Sequence, residues 1–193
     1  MGFSLLLGAA AMPLATLTSP DSSAPNQAAV NDGAEPPSTR SVTLTAYNAV
    51  PGQTDDSPLE TASGAYSNPE VIAARSQDLA RELPFGTIIE LDGSAAADDP
   101  SCGYSVVAHK IGYRVIEDSM NQKFTNRLDV LLDTSRDYVN AEGRKLNAAQ
   151  VLGVCHGVTY RVVGHVDVNH IPETQEALVA LVDGKSSSLA INQ

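Results

Sequence analysis

Short apolar runs alternate with polar, turn-forming segments along the chain from residue 41 onward. The runs are rich in Val, Ile, Thr and Tyr and are bounded by Gly, Pro, Asn and Asp, which is typical of β-strands. The pattern predicts strands over 42–47, 71–74, 86–91, 104–109, 113–118, 127–132 and 158–168. Because turns and short segments join these strands, the pattern favours a small mixed β-barrel over a parallel sheet built from βαβ units.

A few short segments between the strands carry helix signals. Ser76 is a typical helix-capping residue, and Pro84 would end a helix that begins there. Thr134 and Ser135 offer a second cap of the same kind. The predicted helices are 76–82, 136–143, 146–152 and an amphipathic segment over 173–182.

The N-terminal region differs in composition from the rest of the chain. Residues 3–17 carry no charge and are rich in Leu and Ala, as in the apolar part of a signal peptide, although the first basic residue is Arg40. The run is too short, and too interrupted by Gly and Pro, to span a bilayer, so no stable membrane span is expected in the mature chain. The alternative is an apolar N-terminus without defined structure. The expected organisation is a signal peptide over 1–19, a flexible linker over 20–40, a barrel over 41–168 and a C-terminal tail with a short helix over 169–193.

The net charge of the chain narrows the classes of possible partner, and its cysteines bear on the cellular compartment. Twelve basic residues against 23 acidic ones give a net charge of −11, which argues against nucleic acid and anionic membrane surfaces as partners. Two cysteines, Cys102 and Cys155, are equally ordinary as reduced thiols of a cytosolic protein. Together with the apolar leader they favour one disulfide in an exported protein of the periplasm or cell envelope.

Asp118 and Asp129 each interrupt an apolar run that otherwise predicts a buried strand. A carboxylate among apolar strand residues costs free energy unless it is hydrogen-bonded or has a chemical task. Two such groups on linked strands can face one site, where each changes the pKa of the other, and glycoside cleavage requires a carboxylic acid of this kind. The alternative is structural: the two aspartates cap turns or pair with Arg114 and Arg127.

Five segments of the chain occur in an order that resembles the three-aspartate domain. They are Thr45-Ala46-Tyr47, Thr61-Ala62-Ser63-Gly64, Leu83-Pro84-Phe85-Gly86-Thr87, Asp118 and Arg127-Leu128-Asp129. That domain is a double-psi β-barrel shared with the membrane-bound lytic transglycosylase A family, and the chain is also similar to the rare lipoprotein A barrel. The resemblance covers about residues 41–168. It implies a mainly β fold, a six-stranded double-psi β-barrel with short helices.

The resemblance also implies an activity. The family cleaves the β-1,4 bond between N-acetylmuramic acid and N-acetylglucosamine in peptidoglycan. We expect neither a cofactor nor a metal in this chain. By position, Asp129 matches the catalytic aspartate of the lytic transglycosylases and Asp118 its partner on the barrel. In the rare lipoprotein A pattern the Asp118 position is instead the catalytic one. Burial among Leu128, Val130 and Leu132 is expected to raise the pKa of Asp129, as a general acid requires. The alternative is a non-catalytic module that binds peptidoglycan or supports an envelope assembly, as expansin-like relatives of this barrel suggest.

Four further residues are candidates for the wall of a glycan-binding groove: Thr45, Tyr47, Thr61 and Ser63. Each is equally compatible with an ordinary strand or turn position. By contrast, His165, Asp167 and His170 have spacings that are poor for a metal site, and ordinary surface polarity explains them better.

The chain departs from the family pattern in two places. Arg75 occupies the position of the first family aspartate and of a catalytic histidine in rare lipoprotein A, with Asp78 only as an approximate substitute for the aspartate. Met120 and Asn121 replace two glycines, so the backbone after Asp118 has less freedom and the glycan less room.

Overall fold

The structure, a computed structural model, describes residues 39–54 and 57–191. The expected signal peptide over 1–19, and all but the end of the expected linker over 20–40, lie outside the described residues. Within the described part of the chain, no helix combines the length and apolar character that crossing a membrane requires.

Six strands close into a barrel, so the predicted six-stranded, mainly β fold is confirmed. Around the barrel their order is β1-β5-β2-β4-β3-β8. The strands are β1 (Arg40–Tyr47), β2 (Ile72–Arg75), β3 (Thr87–Asp92), β4 (Arg114–Ser119), β5 (Arg127–Leu131) and β8 (Cys155–His165).

The strand order interlocks the two halves of the barrel. β5 lies between β1 and β2, which follow one another in the chain, and β2 lies between β4 and β5, which also follow one another. The pairs β1–β5 and β2–β4 are parallel, whereas the other neighbours are antiparallel. This is double-psi connectivity. If each barrel strand is replaced by the barrel strand three places along the chain, every neighbour relationship is preserved.

The remaining α-helices and strands lie between the barrel strands or follow β8. They are α1 (Tyr104–Ile111), the hairpin strands β6 (Tyr138–Val139) and β7 (Lys145–Leu146), α2 (Ala148–Leu152) and α3 (Gln175–Ile191). The helix predicted over 76–82 is only one turn of 3-10 helix at Gln77–Leu79. The helices predicted over 146–152 and 173–182 correspond to α2 and α3.

The strand predicted over 104–109 is wrong, because this segment is α1. Val106 and Val107 favour a strand by propensity, but only Val107 is buried, while Val106 is 52% exposed. Val107 and Ile111 pack together against the core, and this spacing of four residues is that of one helix face. Packing of that face decides the structure against local propensity.

The helix predicted over 136–143 is also wrong, because the segment contributes β6 to a two-stranded hairpin with β7. Asn140 closes the turn: its backbone N–H donates to Arg144 O, and its side chain accepts from Arg144 N at 2.8 Å. Gly143 has a φ of +77°, which L side chains rarely adopt. These features of the turn stabilise a hairpin, and the helix that Thr134 or Ser135 would cap does not form.

Strand alternation divides the core into two clusters. One face of the barrel strands packs with α1 and α2, and the other packs with α3. Among the barrel strands, the first cluster contains Val42, Leu44, Ala73, Ile116, Leu128, Val130 and Val158. The second contains Tyr47, Ile72, Ala74, Ile88, Val115 and Leu131.

The predicted disulfide between Cys102 and Cys155 is confirmed, with a Cα–Cα distance of 4.5 Å. It joins the loop before α1 to the start of β8, and the Gly103 N–H donates to Leu152 O at the end of α2 nearby. The two segments approach so closely that a Cβ atom at Gly103 would lie 2.0 Å from Val151 O. A glycine is therefore required beside the disulfide.

Candidate active site

A groove of about 450 Å³ opens on the barrel face that carries the second core cluster. Both aspartates singled out from the sequence line it. The lining residues are Tyr47, Gln53, Thr54, Glu60, Ser67, Ala74, Asp118, Ser119, Met120, Asn121, Phe124 and Asp129. Most of them are polar, as expected of a site that binds a hydrophilic ligand.

The strand register places the two carboxylates on either side of one small residue. Ala74 on β2 is the Cα partner of Asp129 on β5 and, beyond a β-bulge, of Asp118 on β4. Strands that flank a common neighbour lie about 10 Å apart. The methyl group of Ala74 therefore leaves open space between the two carboxyl groups.

Asp118 is held by three hydrogen bonds. The Tyr47 hydroxyl donates to Oδ2 at 2.9 Å, while the backbone N–H groups of Ala62 and Ser119 donate to Oδ1 at 3.0 and 2.8 Å. Burial, followed by the charge of Asp118, raises the pKa of Tyr47, so the phenol keeps its proton. The Asp118 carboxylate is thus fixed in orientation.

Asp129 has a different environment. Its Oδ1 atom is buried and has no hydrogen-bond partner among the described residues. Burial, reinforced by the charge of Asp118, raises the pKa of Asp129 from 3.8 to about 7, although the Thr45 hydroxyl and the charge of Arg127 act in the opposite direction. The expectation of a raised pKa is confirmed.

The residues expected to bury Asp129 are not those that do so. Leu128, Val130 and Leu132 all belong to the first core cluster, whereas Asp129 points to the groove on the opposite face. Successive side chains of a strand alternate between faces, which makes the sequence neighbours of Asp129 the wrong ones to consider. Its neighbours across the ladder are Thr45 and Ala74.

Neither aspartate forms an ion pair with an arginine, although Asp118 accepts from the Ala62 N–H of a turn, as the turn-capping part of the structural alternative expects. Arg114 is fully buried and donates to backbone carbonyls, including those of Ile111, Pro69 and Leu131. Arg127 stacks on the ring of Phe124, with its guanidinium carbon 4.7 Å from the ring centre. Within the described part of the chain, no salt bridge reaches either aspartate.

Of the four predicted wall residues, Tyr47 alone lines the groove. Thr45 lies beside Asp129 on the neighbouring strand. Thr61 and Ser63 belong to a turn at the edge of the site, where their hydroxyls bond each other at 3.0 Å. The Ser63 N–H donates to Glu117 O, so this turn is anchored on β4.

Several lining residues were not predicted from the sequence. Gln53 and Glu60 lie in the turn-rich segment that follows β1, while Met120, Asn121 and Phe124 lie between β4 and β5. Met120 and Asn121, which follow the end of β4, both occupy the groove wall. The polar, turn-rich composition of these segments was the available signal, but it does not indicate which side chains face a groove.

Arg75 and Asp78 lie outside the groove lining. Arg75 is buried, donates from Nε to Leu83 O at 2.9 Å and lies over the Phe85 ring. Asp78 accepts a hydrogen bond from Asn126 N at 2.9 Å and so anchors the turn before β5. Asp78 therefore supplies no carboxylate to the groove, and Glu60 is the third acidic side chain of its lining.

The side chains that line the groove limit the reactions and ligands that it can accommodate. A carboxyl group with a pKa of about 7 can give and accept a proton near neutral pH. Gln53 and Asn121 present amides, and Met120 and Phe124 present apolar surface.

No protein-family model, curated protein or solved structure matches the chain.

Proposed function

We propose that the groove binds a glycan strand of peptidoglycan and that Asp129 is the general acid and base of a lytic transglycosylase reaction. The bond cleaved is the β-1,4 bond between N-acetylmuramic acid and N-acetylglucosamine. The observation that carries the proposal is the half-buried Asp129 at the groove, whose Oδ1 atom is buried without a partner and whose pKa is raised to about 7. The ordered motifs that resemble the three-aspartate domain support the same assignment.

Protonated Asp129 donates its proton to the glycosidic oxygen while positive charge develops at C1 of the muramic acid. The C1–O bond breaks, and the 6-hydroxyl of the same sugar forms a new bond to C1. The Asp129 carboxylate then accepts the proton of that hydroxyl, which regenerates the acid. The product is a 1,6-anhydro sugar, and no water molecule is consumed.

Asp118 supports this reaction electrostatically. Its charge raises the pKa of Asp129 and stabilises positive charge that develops at the sugar ring. Tyr47 and two backbone N–H groups fix its orientation before the substrate binds. A preorganised carboxylate needs little rearrangement in the transition state.

The composition of the groove suits a hydrophilic polymer. The amides of Gln53 and Asn121 match acetamido and hydroxyl groups, and Met120 and Phe124 match the apolar faces of sugar rings. The disulfide suits an oxidising compartment such as the periplasm, where this substrate lies.

A peptidoglycan-binding module without catalysis is the second candidate. It is favoured by Arg75, which replaces the first family aspartate and is buried away from the groove. In that function the two aspartates would contribute hydrogen bonds and no proton transfer.

Digestion of purified murein separates the two functions. The wild-type protein is expected to release anhydro-muropeptides that mass spectrometry detects. Asp129→Asn should lower turnover by roughly 10²–10⁴-fold, the usual contribution of general acid catalysis, while glycan pull-down is retained. Asp118→Asn should lower turnover less.

Two outcomes would contradict the enzymatic assignment. One is undiminished turnover by Asp129→Asn, which would exclude Asp129 as the acid. The other is murein binding by the wild-type protein without any anhydro product, which would establish the binding module instead.

A further inference from the structure

Two basic side chains lie against Phe124, a residue of the groove wall. The Nζ atom of Lys123 is 5.0 Å from the centre of the Phe124 ring, and the guanidinium carbon of Arg127 is 4.7 Å from it. Lys123 is exposed, whereas Arg127 is partly buried. The two cations therefore gather at one part of the wall, in a chain that has only 12 basic residues against 23 acidic ones.

Neither cation has an acidic partner. Within the described part of the chain, no salt bridge includes Lys123 or Arg127, and Nε of Arg127 is buried without a hydrogen-bond acceptor. An aromatic ring contacts a guanidinium group through its face, so the N–H groups at the edge stay available. The fully buried Arg114 differs, because it donates to several backbone carbonyls. Unpaired donors beside a groove are expected where a ligand supplies the acceptor.

The geometry of β5 relates these cations to the proposed acid. Arg127 and Asp129 are two residues apart, so they lie on the same face of the strand and about 7 Å apart along it. Burial raises the pKa of Asp129, and the nearby charge of Arg127 opposes this effect. In muramic acid, the reacting C1 and the C3 that bears the lactyl group belong to one ring. A carboxylate on that substituent therefore lies about one sugar ring away from the bond that is cleaved.

The charges along the groove are unevenly distributed. Its described lining contains the acids Glu60, Asp118 and Asp129 and no lysine, arginine or histidine. A carboxylate of a bound ligand is repelled by these acids and attracted to Lys123 and Arg127. The cations thus give an anionic glycan one preferred position in the groove.

We propose that Lys123 and Arg127 form a carboxylate subsite beside Phe124, which binds a carboxylate of the muramic acid unit that reacts at Asp129. The inference rests on the proposed function, because that function places this sugar in the groove. The carboxylate belongs either to the lactyl group of a peptide-free strand or to a stem peptide. Arg127 can bind both carboxylate oxygens, and Lys123 supplies a point charge. The subsite selects murein over chitin, whose N-acetylglucosamine units carry no carboxylate.

Binding measurements with three glycans of similar length test the subsite. They are peptide-free murein strands, murein strands with stem peptides and chito-oligosaccharides, each titrated in an Asp129→Asn background so that no strand is cleaved. The protein should bind at least one murein glycan more tightly than chito-oligosaccharides, and added salt should reduce the difference.

Replacement of the cations should weaken murein binding alone. Arg127→Gln should lower the affinity about tenfold or more, as expected of a hydrogen-bonded charge, and Lys123→Gln about two- to fivefold, as expected of an exposed one. Affinity for chito-oligosaccharides should not change. Arg144→Gln, at a side chain that is 75% exposed, controls for the loss of one positive charge and should bind all three glycans normally.

The two murein glycans distinguish the sources of the carboxylate. The lactyl carboxyl is free in peptide-free strands and forms an amide in strands with stem peptides. An effect of Arg127→Gln on peptide-free strands alone assigns the lactyl carboxylate, and an effect on peptide-bearing strands alone assigns the stem peptide.

Two results would overturn the subsite and leave the proposed function intact. One is equal affinity for all three glycans, and the other is a loss of chito-oligosaccharide binding in the variants as large as the loss of murein binding. Lys123→Gln changes an exposed side chain, so the test does not depend on the folding of Arg127→Gln. Failure to bind any of the glycans would instead contradict the proposed function, and the subsite with it.

Discussion

The hydroxyl of Tyr47 donates a 2.9 Å hydrogen bond to Oδ2 of Asp118 and so joins two strands that are not neighbours in the barrel. Tyr47 ends β1 and Asp118 lies near the end of β4, with β5 and β2 between them. The bond therefore passes across the strand pair that carries Asp129 and Ala74. The phenol at one side of the site sets the orientation of the carboxylate at the other.

Removal of the Tyr47 hydroxyl tests the importance of this orientation. Tyr47→Phe leaves Asp118 with two backbone donors, and loss of a hydrogen bond to a charged group costs about 1.5–3 kcal/mol. Murein turnover should fall roughly ten- to a hundredfold, by the usual relation between free energy and rate. Tyr66→Phe, at a tyrosine that is 67% exposed, is the matched control and should retain full turnover. Equal rates in both variants would show that the hydroxyl is dispensable.

The raised pKa of Asp129 makes stability depend on pH. Between about pH 4 and 7 the folded protein binds more protons than the unfolded chain, so stability falls as pH rises through this window. A shift from 3.8 to about 7 corresponds to about 4 kcal/mol. Asp129→Asn should therefore be more stable than wild type by up to that amount above pH 7, with little difference below pH 4.

Urea unfolding at pH 3.5 and pH 8 measures this difference. Asp98→Asn, at an exposed aspartate, controls for the loss of one negative charge. A variant that is inactive yet more stable at high pH is expected of a site that is strained for its chemistry. If Asp129→Asn were less stable than wild type at pH 8, the carboxyl would instead be a structural anchor.

Asp118 should influence the pH profile of turnover. Its charge raises the pKa of Asp129, so Asp118→Asn should lower that pKa and move the alkaline limb of kcat/KM to lower pH. The measurement is initial rates of anhydro-muropeptide release across pH 5–9. An unchanged limb combined with a lower rate would mean that Asp118 acts on the substrate alone.

The disulfide should stabilise the barrel without affecting the chemistry. Cys155 is fully buried at the start of β8 and pairs with Leu44 on β1, so its bridge to Cys102 restrains barrel closure. Replacement of both cysteines by serine should cost about 2–5 kcal/mol of unfolding free energy. Thermal unfolding with and without a reductant is the measurement, and reduced wild type should behave like the variant. Identical melting in all samples would contradict a stabilising role.

The sequence was sufficient to predict the barrel and the position of Asp118 and Asp129 at one groove, because both features leave local signals. Period-two apolar runs mark most of the strands, and a carboxylate inside such a run is unusual enough to be noticed. The same reasoning gave a wrong strand prediction for α1, where Val106 and Val107 favour a strand but the buried residues lie on one helix face. Tertiary packing made that choice, and it is not visible within the segment.

The environment of Asp129 could not be predicted, because it is assembled from distant strands. Ala74 and Thr45 become its neighbours only through the register of β2 and β1, while the adjacent Leu128 and Val130 face away. Thr61 and Ser63 were expected on the groove wall, but their hydroxyls bond each other. A sequence identifies polar residues in a turn without showing whether they bind a ligand or complete the turn.

The interlocked strand order determines when, during folding, the environment of Asp129 first forms. Thr45 and Ala74 precede Asp129 in the chain, and β5 must insert between β1 and β2 before the three residues meet. Until then Asp129 is a hydrated aspartate of ordinary acidity, too weakly basic to hold a proton at neutral pH. A nascent or translocating chain is therefore inert towards glycans under the proposed function. Folding itself would then activate the site, as removal of a pro-segment activates a zymogen. No separate inhibitor is required to keep the unfolded chain inactive.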